Sequence, residues 1–476
     1  MKDSAEAASA EGYSAVADVA VIGAGAAGLA AARRLAEAGR SVLLLEARDR
    51  MGGRIWTVGD GIELGAEFVH GEPEATLALL REAGIGMVEL AGERWVMHDG
   101  RPRRAGALMG HEVHWLLERA AHMERDMSVA EFLESAVRAD PGCDVVAARI
   151  QGMAEGYDAA DPSRASIRAL AAEWAGGASP GASSRLRGGY VALMDHMTRM
   201  LDRALVELRL ESVVRVVRWS SEGVEIDVEE RGALRRHRAR KAIITLPLGV
   251  LQAPPDDPAA VRFEPPLEMK REALAGLSMG PAHRVVLKFR GAFWEKLEGG
   301  SMRNAGFITT AGTSTGTATG TWSEVTKASP FRTFWTELPA RRRELVAWVG
   351  GPAAVRASER ANDSESDGAA KDTIIAQAIY SVQSLFAGRV DVERLLEGAW
   401  FHDWVSDPLA RGAYSYVNVG GERARSELAE PVAGTLYIAG EATDDSGEAT
   451  TVAGAIAEGT RVAGEVVDGW QRSQSR

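Results

Sequence analysis

Six residues near the start of the chain, Gly23-Ala-Gly25-Ala-Ala-Gly28, restrict its fold more than any other feature. They stand between an apolar run, residues 17–22 (Ala-Asp-Val-Ala-Val-Ile), and an alanine- and leucine-rich stretch, 26–38, that closes on Gly39. The run reads as a short buried strand and the stretch as a helix; 41–45 (Ser-Val-Leu-Leu-Leu) comes next as a second buried strand. Together they predict one βαβ unit of a parallel sheet. The glycine spacing alone carries little weight, because 52 glycines in 476 residues yield about 0.6 such matches by chance. Its setting carries the weight. A turn between strand and helix presents unpaired N–H groups and the positive helix end to a pyrophosphate. Gly23 permits the tight turn, Gly25 and Ala27 lie where phosphates approach the backbone, and Gly28 lets helix and strand pack closely. Glu46 ends the second strand 18 residues after Gly28, placed to accept hydrogen bonds from a ribose 2′-hydroxyl. A carboxylate there would repel the 2′-phosphate of NADP, which leaves NAD or FAD.

The remaining composition narrows the class. Apolar residues make up 46% and charged ones 26%, an ordinary balance for a soluble globular chain. A formal charge of −12 argues against nucleic acid as a partner and mildly favours cationic ligands. The lone Cys143 excludes an intrachain disulfide and any CxxC site, and the nine histidines show no HxxxH or HxH spacing, so no metal is expected. Met1 to Asp18 lacks an apolar signal core and the last residues are polar, so the expectation is a cytoplasmic protein with no membrane partner.

The residues after the second strand separate NAD from FAD. Glu46-Ala47-Arg48-Asp-Arg-Met-Gly-Gly53-Arg54 resembles the extended fingerprint of the flavin-containing amine oxidase family. At the other end, Leu436-Tyr-Ile-Ala-Gly440-Glu441-Ala-Thr followed by Gly454-Ala-Ile-Ala-Glu-Gly459 reads as strand, turn and helix, and resembles that family's C-terminal FAD segment. The loop Gly65-Ala66-Glu67-Phe-Val-His70-Gly71, Arg187-Gly-Gly-Tyr190, Val214, Thr245-Leu-Pro-Leu-Gly-Val-Leu251 and Asp407-Pro-Leu-Ala-Arg-Gly-Ala-Tyr414 match the family in order over some 440 residues. The resemblance implies an FAD cofactor. Arg54 would supply a cation beside the pyrophosphate, Val214 would meet the adenine through its backbone, and Glu441 would bond the ribityl chain. Thr451 and Val452 would face the flavin, and Gly65, Ala66 and Glu67 would pass near its ring. Ala413 stands where covalently flavinylated members carry cysteine, so the FAD should be noncovalent.

The resemblance also implies the chemistry: removal of a hydride equivalent from the carbon beside a small-molecule primary or secondary amine, passed to flavin N5 and on to oxygen or another acceptor. Tyr414 matches one of two aromatic positions that frame the amine; the other falls on Thr451, as in histone-lysine demethylases. His70 matches a histidine of vertebrate-type polyamine oxidases and reads equally as an amine contact or a histidine satisfied by backbone. Arg284 falls where most members carry a lysine bridged by water to flavin N5. Lys288 is four residues on, about 13 Å along a strand, too far to stand in for it. An arginine there keeps the charge but never deprotonates. It would stabilise superoxide, or clamp a substrate carboxylate, and it puts oxygen in question as acceptor.

The predicted architecture is α/β, a Rossmann-like FAD-binding domain (15–75, 186–262 and 397–476) interleaved with a mixed α+β substrate-binding domain (76–185 and 263–396). Residues 74–185 read as mostly helical from the spacing of Leu77, Leu79, Leu80, Leu116, Leu117 and Ala120, with strands at 213–219, 223–228, 242–246 and 284–289. Thr309 to Thr321 and Arg356 to Asp372 read as exposed loops, and the basic run Arg235 to Lys241 as a solvated turn beside a hairpin. Two other functions are compatible with these residues: a desaturase or dehydrogenase of the same fold acting on a non-amine, and an FAD-bearing scaffold without turnover.

Overall fold

Strand Ala17–Ile22 pairs in parallel with Val42–Leu45 on one side and with the end of the long strand Ala233–Ile244 on the other. Helix Ala26–Glu37 connects the first two, as the glycine turn requires. The computed structural model describes residues 16–98, 100–106, 110–175, 183–257, 259–310, 330–362 and 369–474. Val206–Arg209 extends the sheet beyond Val42–Leu45, and Leu436–Ile438 adds in parallel to Ala242–Ile244. Val19, Ala20, Val21, Ile243 and Ile244 are fully buried, because a parallel sheet is covered on both faces.

The first and the last of the described helices pack together. Helix Val452–Gln474 lies along Ala26–Glu37, with Ile456, Val462 and Val466 in one apolar cluster with Leu29 and Leu35. Gly459 permits the approach, since a Cβ there would run into the carbonyl oxygen of Ala27. Cofactor-type turns written more than 400 residues apart thus stand side by side.

An antiparallel meander, Ser212–Ser220, Gly223–Glu230 and the first half of Ala233–Ile244, continues the same sheet. The basic run Arg235 to Lys241 lies inside that last strand, not in a solvated turn. Its partner strand supplies the reason: Arg236 bonds Asp227 at 2.7 Å, Arg238 bonds Glu225 at 2.8 Å, and Arg235 pairs with Glu230 at 3.3 Å. Opposite charges across paired strands stabilise a sequence whose composition alone suggests a turn.

The second large sheet runs, among the described residues, Leu396–Phe401, Ala282–Phe289, Glu344–Gly350, Thr333–Thr336, Ala305–Thr310, Glu93–His98 and Arg101–Arg104. Two of these strands correct the helical reading of 74–185. That stretch does contain helices Glu74–Ala83, His111–Ala121, Val129–Ala139, Asp144–Gly156 and Ile167–Ala175, but residues 87–104 are extended. Trp95 and Met97 alternate into the core while their strand pairs in parallel with Ala305–Thr310, a partner about 200 residues away that no local pattern announces. Much of Arg356 to Asp372 is likewise not loop. Helices Pro352–Asn362 and Ala369–Leu385 cover one face of the sheet, with Ala354, Ala357, Ala378 and Val382 buried. Residues 363–368 and 311–321 lie outside the described residues, and Thr309 and Thr310 end a strand. No helix among the described residues is long and apolar enough to cross a membrane.

Candidate active site

A cavity of about 1210 Å³ is lined by residues of both large sheets. Ligand pockets of roughly 300–1,000 Å³ hold one drug-sized molecule, so this one has room for an extended dinucleotide and a second ligand. Every site residue expected from the sequence lines it except Gly28. Gly28 lies directly behind the wall, where a Cβ would run into the Gly23 carbonyl oxygen.

One end carries an open helix N-terminus and a buried carboxylate, groups suited to phosphates and a ribose. The helix Ala26–Glu37 begins at Gly25 without a side-chain cap, so its first N–H groups remain available to an anion. Glu46, 6% exposed, accepts from the Ala24 amide at 2.8 Å and the Arg48 amide at 2.9 Å. Burial raises its carboxyl above the usual range against the pull of those amides. Each oxygen keeps a lone pair for a ribose hydroxyl. Arg50 braces the adjoining loop, donating to the carbonyls of Met51, Ile55 and Gly53 at 2.9–3.2 Å while its guanidinium stacks 4.5 Å over Trp56. Arg48 ties the loop to the far end of the chain through Asp407 at 2.8 Å, and His402 holds the same carboxylate at 2.6 Å.

The second anion-facing end comes from the C-terminal segment. Thr451 caps helix Val452–Gln474: its hydroxyl accepts from the Gly454 amide at 3.0 Å and donates to the Glu448 carbonyl at 2.6 Å. The side chain at the second aromatic position therefore serves the helix end. Glu441, 5% exposed, takes Arg54 on one oxygen at 2.9 Å and the Ser415 hydroxyl on the other at 2.7 Å. Burial would raise its carboxyl, but Arg54 and Arg425 hold it below the ordinary range. Arg54 makes this bond and one to the Ala413 carbonyl through the same nitrogen, Nη1. Two helix N-termini, two buried carboxylates and a glycine-lined loop on one cavity fit a dinucleotide with a phosphate bridge and polar ends.

Beyond these groups the wall becomes aromatic. Arg284, 5% exposed, pairs with Glu67 at 2.6 Å, donates to the Gly65 carbonyl at 3.1 Å and stacks 5.5 Å over Trp335. Its Nε has no hydrogen-bond partner among the described residues. Glu67 also accepts from Arg185 at 2.5 Å and from the Trp335 indole at 3.0 Å. Burial would raise the Glu67 carboxyl, but the two arginines win and hold it low. This buried cluster was not legible in sequence, because Arg185 lies in a strand, Ser183–Leu186, that no motif marks. Lys288 pairs with Glu344 at 3.6 Å instead and does not line the cavity.

Tyr414 donates its hydroxyl to the Tyr157 carbonyl at 2.6 Å, and burial pushes its own ionisation upward. Tyr157 itself lines the cavity and meets His70 edge-on at 5.6 Å; sequence reasoning missed it, since Gly156-Tyr157-Asp158 carries no signature. His70 is held by the Ser183 hydroxyl at 2.9 Å, a side-chain partner, and burial lowers its pKa to about 4. It is neutral at pH 7. Because the unfolded histidine titrates near 6.5, the unfolded chain binds more protons between those values, and stability falls as pH drops from about 6.5 towards 4. His70→Gln is expected to flatten urea midpoints across that window; an unchanged slope would show that folding does not lower the His70 pKa.

Residues 26–467 match the family model described as flavin containing amine oxidoreductase. Lysine-specific histone demethylase 2 of Homo sapiens is 25% identical over 477 residues, covering 94% of this chain and 53% of that protein. Polyamine oxidase 3 of Oryza sativa subsp. japonica is 30% identical over 314 residues, covering 58% and 60%. The chain thus spans between half and two thirds of the length of these relatives. A solved structure of wild-type putrescine oxidase bound to putrescine superposes with a TM-score of 0.73 at 21% identity, covering 95% of this chain and 99% of that one, a likeness of fold.

Proposed function

The chain belongs to the flavin-containing amine oxidoreductase family, and from that premise we propose that it binds FAD noncovalently and oxidises a primary or secondary amine. The observation that carries the reading is the meeting of two helix N-termini, at Ala26 and Val452, and two buried carboxylates, Glu46 and Glu441, on one cavity. Glu46 would receive the ribose, the Gly25–Gly28 turn and Arg54 the phosphates, and the Val452 end the polar edge of the flavin. Ala413 offers no thiol, and Cys143 does not line the cavity, which supports noncovalent attachment. When bound, FAD supplies the acceptor for a hydride equivalent from the carbon beside the amine nitrogen. The protein's share is to desolvate and orient. Tyr414, Tyr157, Trp335 and Trp348 wall the space with aromatic surface, and neutral His70 adds no charge to repel or ionise an amine.

Arg284 bears on the acceptor. Oxygen is the proposed acceptor, and a guanidinium locked to Glu67 and Gly65 cannot donate a proton and has little freedom to follow a developing superoxide. Arg284→Lys is expected to speed reoxidation of the reduced flavin in air about tenfold, which corresponds to about 1.4 kcal/mol. The same lock favours a second reading, a dehydrogenase of this fold that passes its electrons to another carrier. Anaerobic mixing with monoamines, polyamines and amino acids, monitored by flavin bleaching, tests the main proposal. Bleaching by an amine supports it, and no bleaching by any of them overturns it. Equal reoxidation of wild type and Arg284→Lys removes the assigned role of Arg284.

A further inference from the structure

The cavity-facing side of the second sheet carries an aromatic floor with a guanidinium at each end. Register places Arg284 opposite Trp348, Trp348 opposite Thr333, Thr333 opposite Thr309, and Thr309 opposite Val96. In the adjacent row Trp335 stands opposite Phe307, and Phe307 opposite Arg94. Residues directly opposite one another share a face, and so do residues two apart on a strand. Trp348, Trp335 and Phe307 therefore form one surface, with ring centroids 6.0 and 6.1 Å apart. Arg284 lies over Trp335 and Arg94 lies 4.9 Å over Phe307. The two arginines are four strands apart, about 19 Å at 4.8 Å per strand.

The two ends differ in charge. Arg284 and Arg185 face the carboxylates of Glu67 and Glu337, so that end is compensated and a further anion gains little there. Arg94 has no ion pair and no side-chain hydrogen bond among the described residues; the Phe307 ring is its contact. Of the other charged residues that line the cavity, Arg332 is within electrostatic reach of Glu155, and Asp144 accepts from the amide of Val145. Glu89 and Arg149 also line it, and burial disfavours the Arg94 guanidinium. A half-buried, uncompensated guanidinium over an aromatic ring is costly alone and is satisfied by a carboxylate.

We propose that Arg94 receives a carboxylate on the end of the substrate remote from the oxidised carbon, so that the substrate is an amine with an apolar body and a terminal carboxylate. This rests on the amine-oxidase reading. The aromatic floor would hold the body, and the Arg94 end would set length and charge preference. A di- or polyamine would instead bring a second ammonium towards a cation that has no ion pair among the described residues.

The test uses the FAD-loaded protein and calorimetric binding of straight-chain carboxylates and alkylamines of matched length, which needs no turnover. In wild type the carboxylates bind, with an optimum chain length. Arg94→Met is expected to weaken them at least tenfold relative to the alkylamines, Arg94→Lys to recover part of the loss, and Arg94→Glu to shift preference towards diamines. A change under twofold in Arg94→Met at unaltered flavin content overturns the proposal, as does a wild-type preference for diamines over ω-aminocarboxylates of equal length. If carboxylates bind through Arg94 yet no amine bleaches the flavin, the amine reading fails and the anion site stands. If amines bleach the flavin with no dependence on Arg94, the anion site fails and the amine reading stands.

Discussion

Glu67→Leu is expected to destabilise the folded protein by about 3–5 kcal/mol, read as a lower urea midpoint. Glu67 is 5% exposed and accepts from Arg185, Arg284 and the Trp335 indole at 2.5, 2.6 and 3.0 Å. Removing it leaves buried Arg284 and half-buried Arg185 with Glu337, 3.6 Å from Arg185, as their remaining carboxylate, and an indole N–H without an acceptor. Coulomb repulsion and lost solvation then act in the same direction, which is why breaking a buried pair costs more than the pair contributes. Glu67→Gln keeps an acceptor but not the charge, and should fall between wild type and leucine. The double variant Glu67→Leu/Arg284→Leu should recover part of the loss, because one uncompensated charge leaves with its partner. The Glu67 carboxyl is held below its ordinary range in the fold, so its contribution is present above the unfolded value and is lost as pH falls through the folded one. Wild type and Glu67→Leu should therefore converge in stability in acid. Equal midpoints at pH 7 would mean that Glu337 or water, not Glu67, satisfies the two arginines.

Gly28→Val is expected to yield protein that purifies colourless and binds added FAD at least about 100-fold more weakly, or about 2.7 kcal/mol. A Cβ at Gly28 would overlap the Gly23 carbonyl oxygen and come within 3.0 Å of the Thr245 hydroxyl. Neither neighbour can yield easily. The Gly23 amide donates to the Leu45 carbonyl at 2.8 Å, and the Thr245 hydroxyl bonds the carbonyls of Ile22 and Gly23. The helix start must therefore move outward, and its open N–H groups move with it. Overpacking of this kind costs folding about 1–3 kcal/mol, so the chain should still fold while losing the aligned anion site. Gly464→Ala is the control: it lies in helix Val452–Gln474 and a Cβ there meets nothing within 4 Å. It should retain its flavin and gain slightly in stability, by about 0.4–1 kcal/mol. Yellow Gly28→Val protein with wild-type affinity would show that the close approach is not what aligns the site.

The local devices of the cofactor site were legible because each is short in sequence. A strand, a glycine turn and a helix start within about a dozen residues, so Ala17–Ile22, Gly23–Gly28 and helix Ala26–Glu37 could be read directly. Glu46 is fixed by the length of the same unit, and the Ala439-Gly440-Glu441 turn by another strand and helix start. The basic run Arg235 to Lys241 misled, since its stabilising acids sit on a neighbouring strand and composition alone cannot supply them. Residues 87–104 misled for the same reason, with their partner strand at Ala305–Thr310.

Sequence by itself determined the family, the α/β architecture and the two glycine-bearing turns that open onto helix N-termini, because backbone conformation and helix-end polarity depend on neighbouring residues. Tertiary structure decided what those turns surround. Arg48 reaches Asp407 and Arg54 reaches Glu441 across more than 350 residues, and Arg284 meets Glu67 across more than 200. Arg94 shares a face with Trp335 only through strand register. Whether a buried charge is compensated depends on which distant group folding places within a few ångströms of it. That distance decides the character of Arg284 and Arg94, and one-dimensional spacing does not contain it.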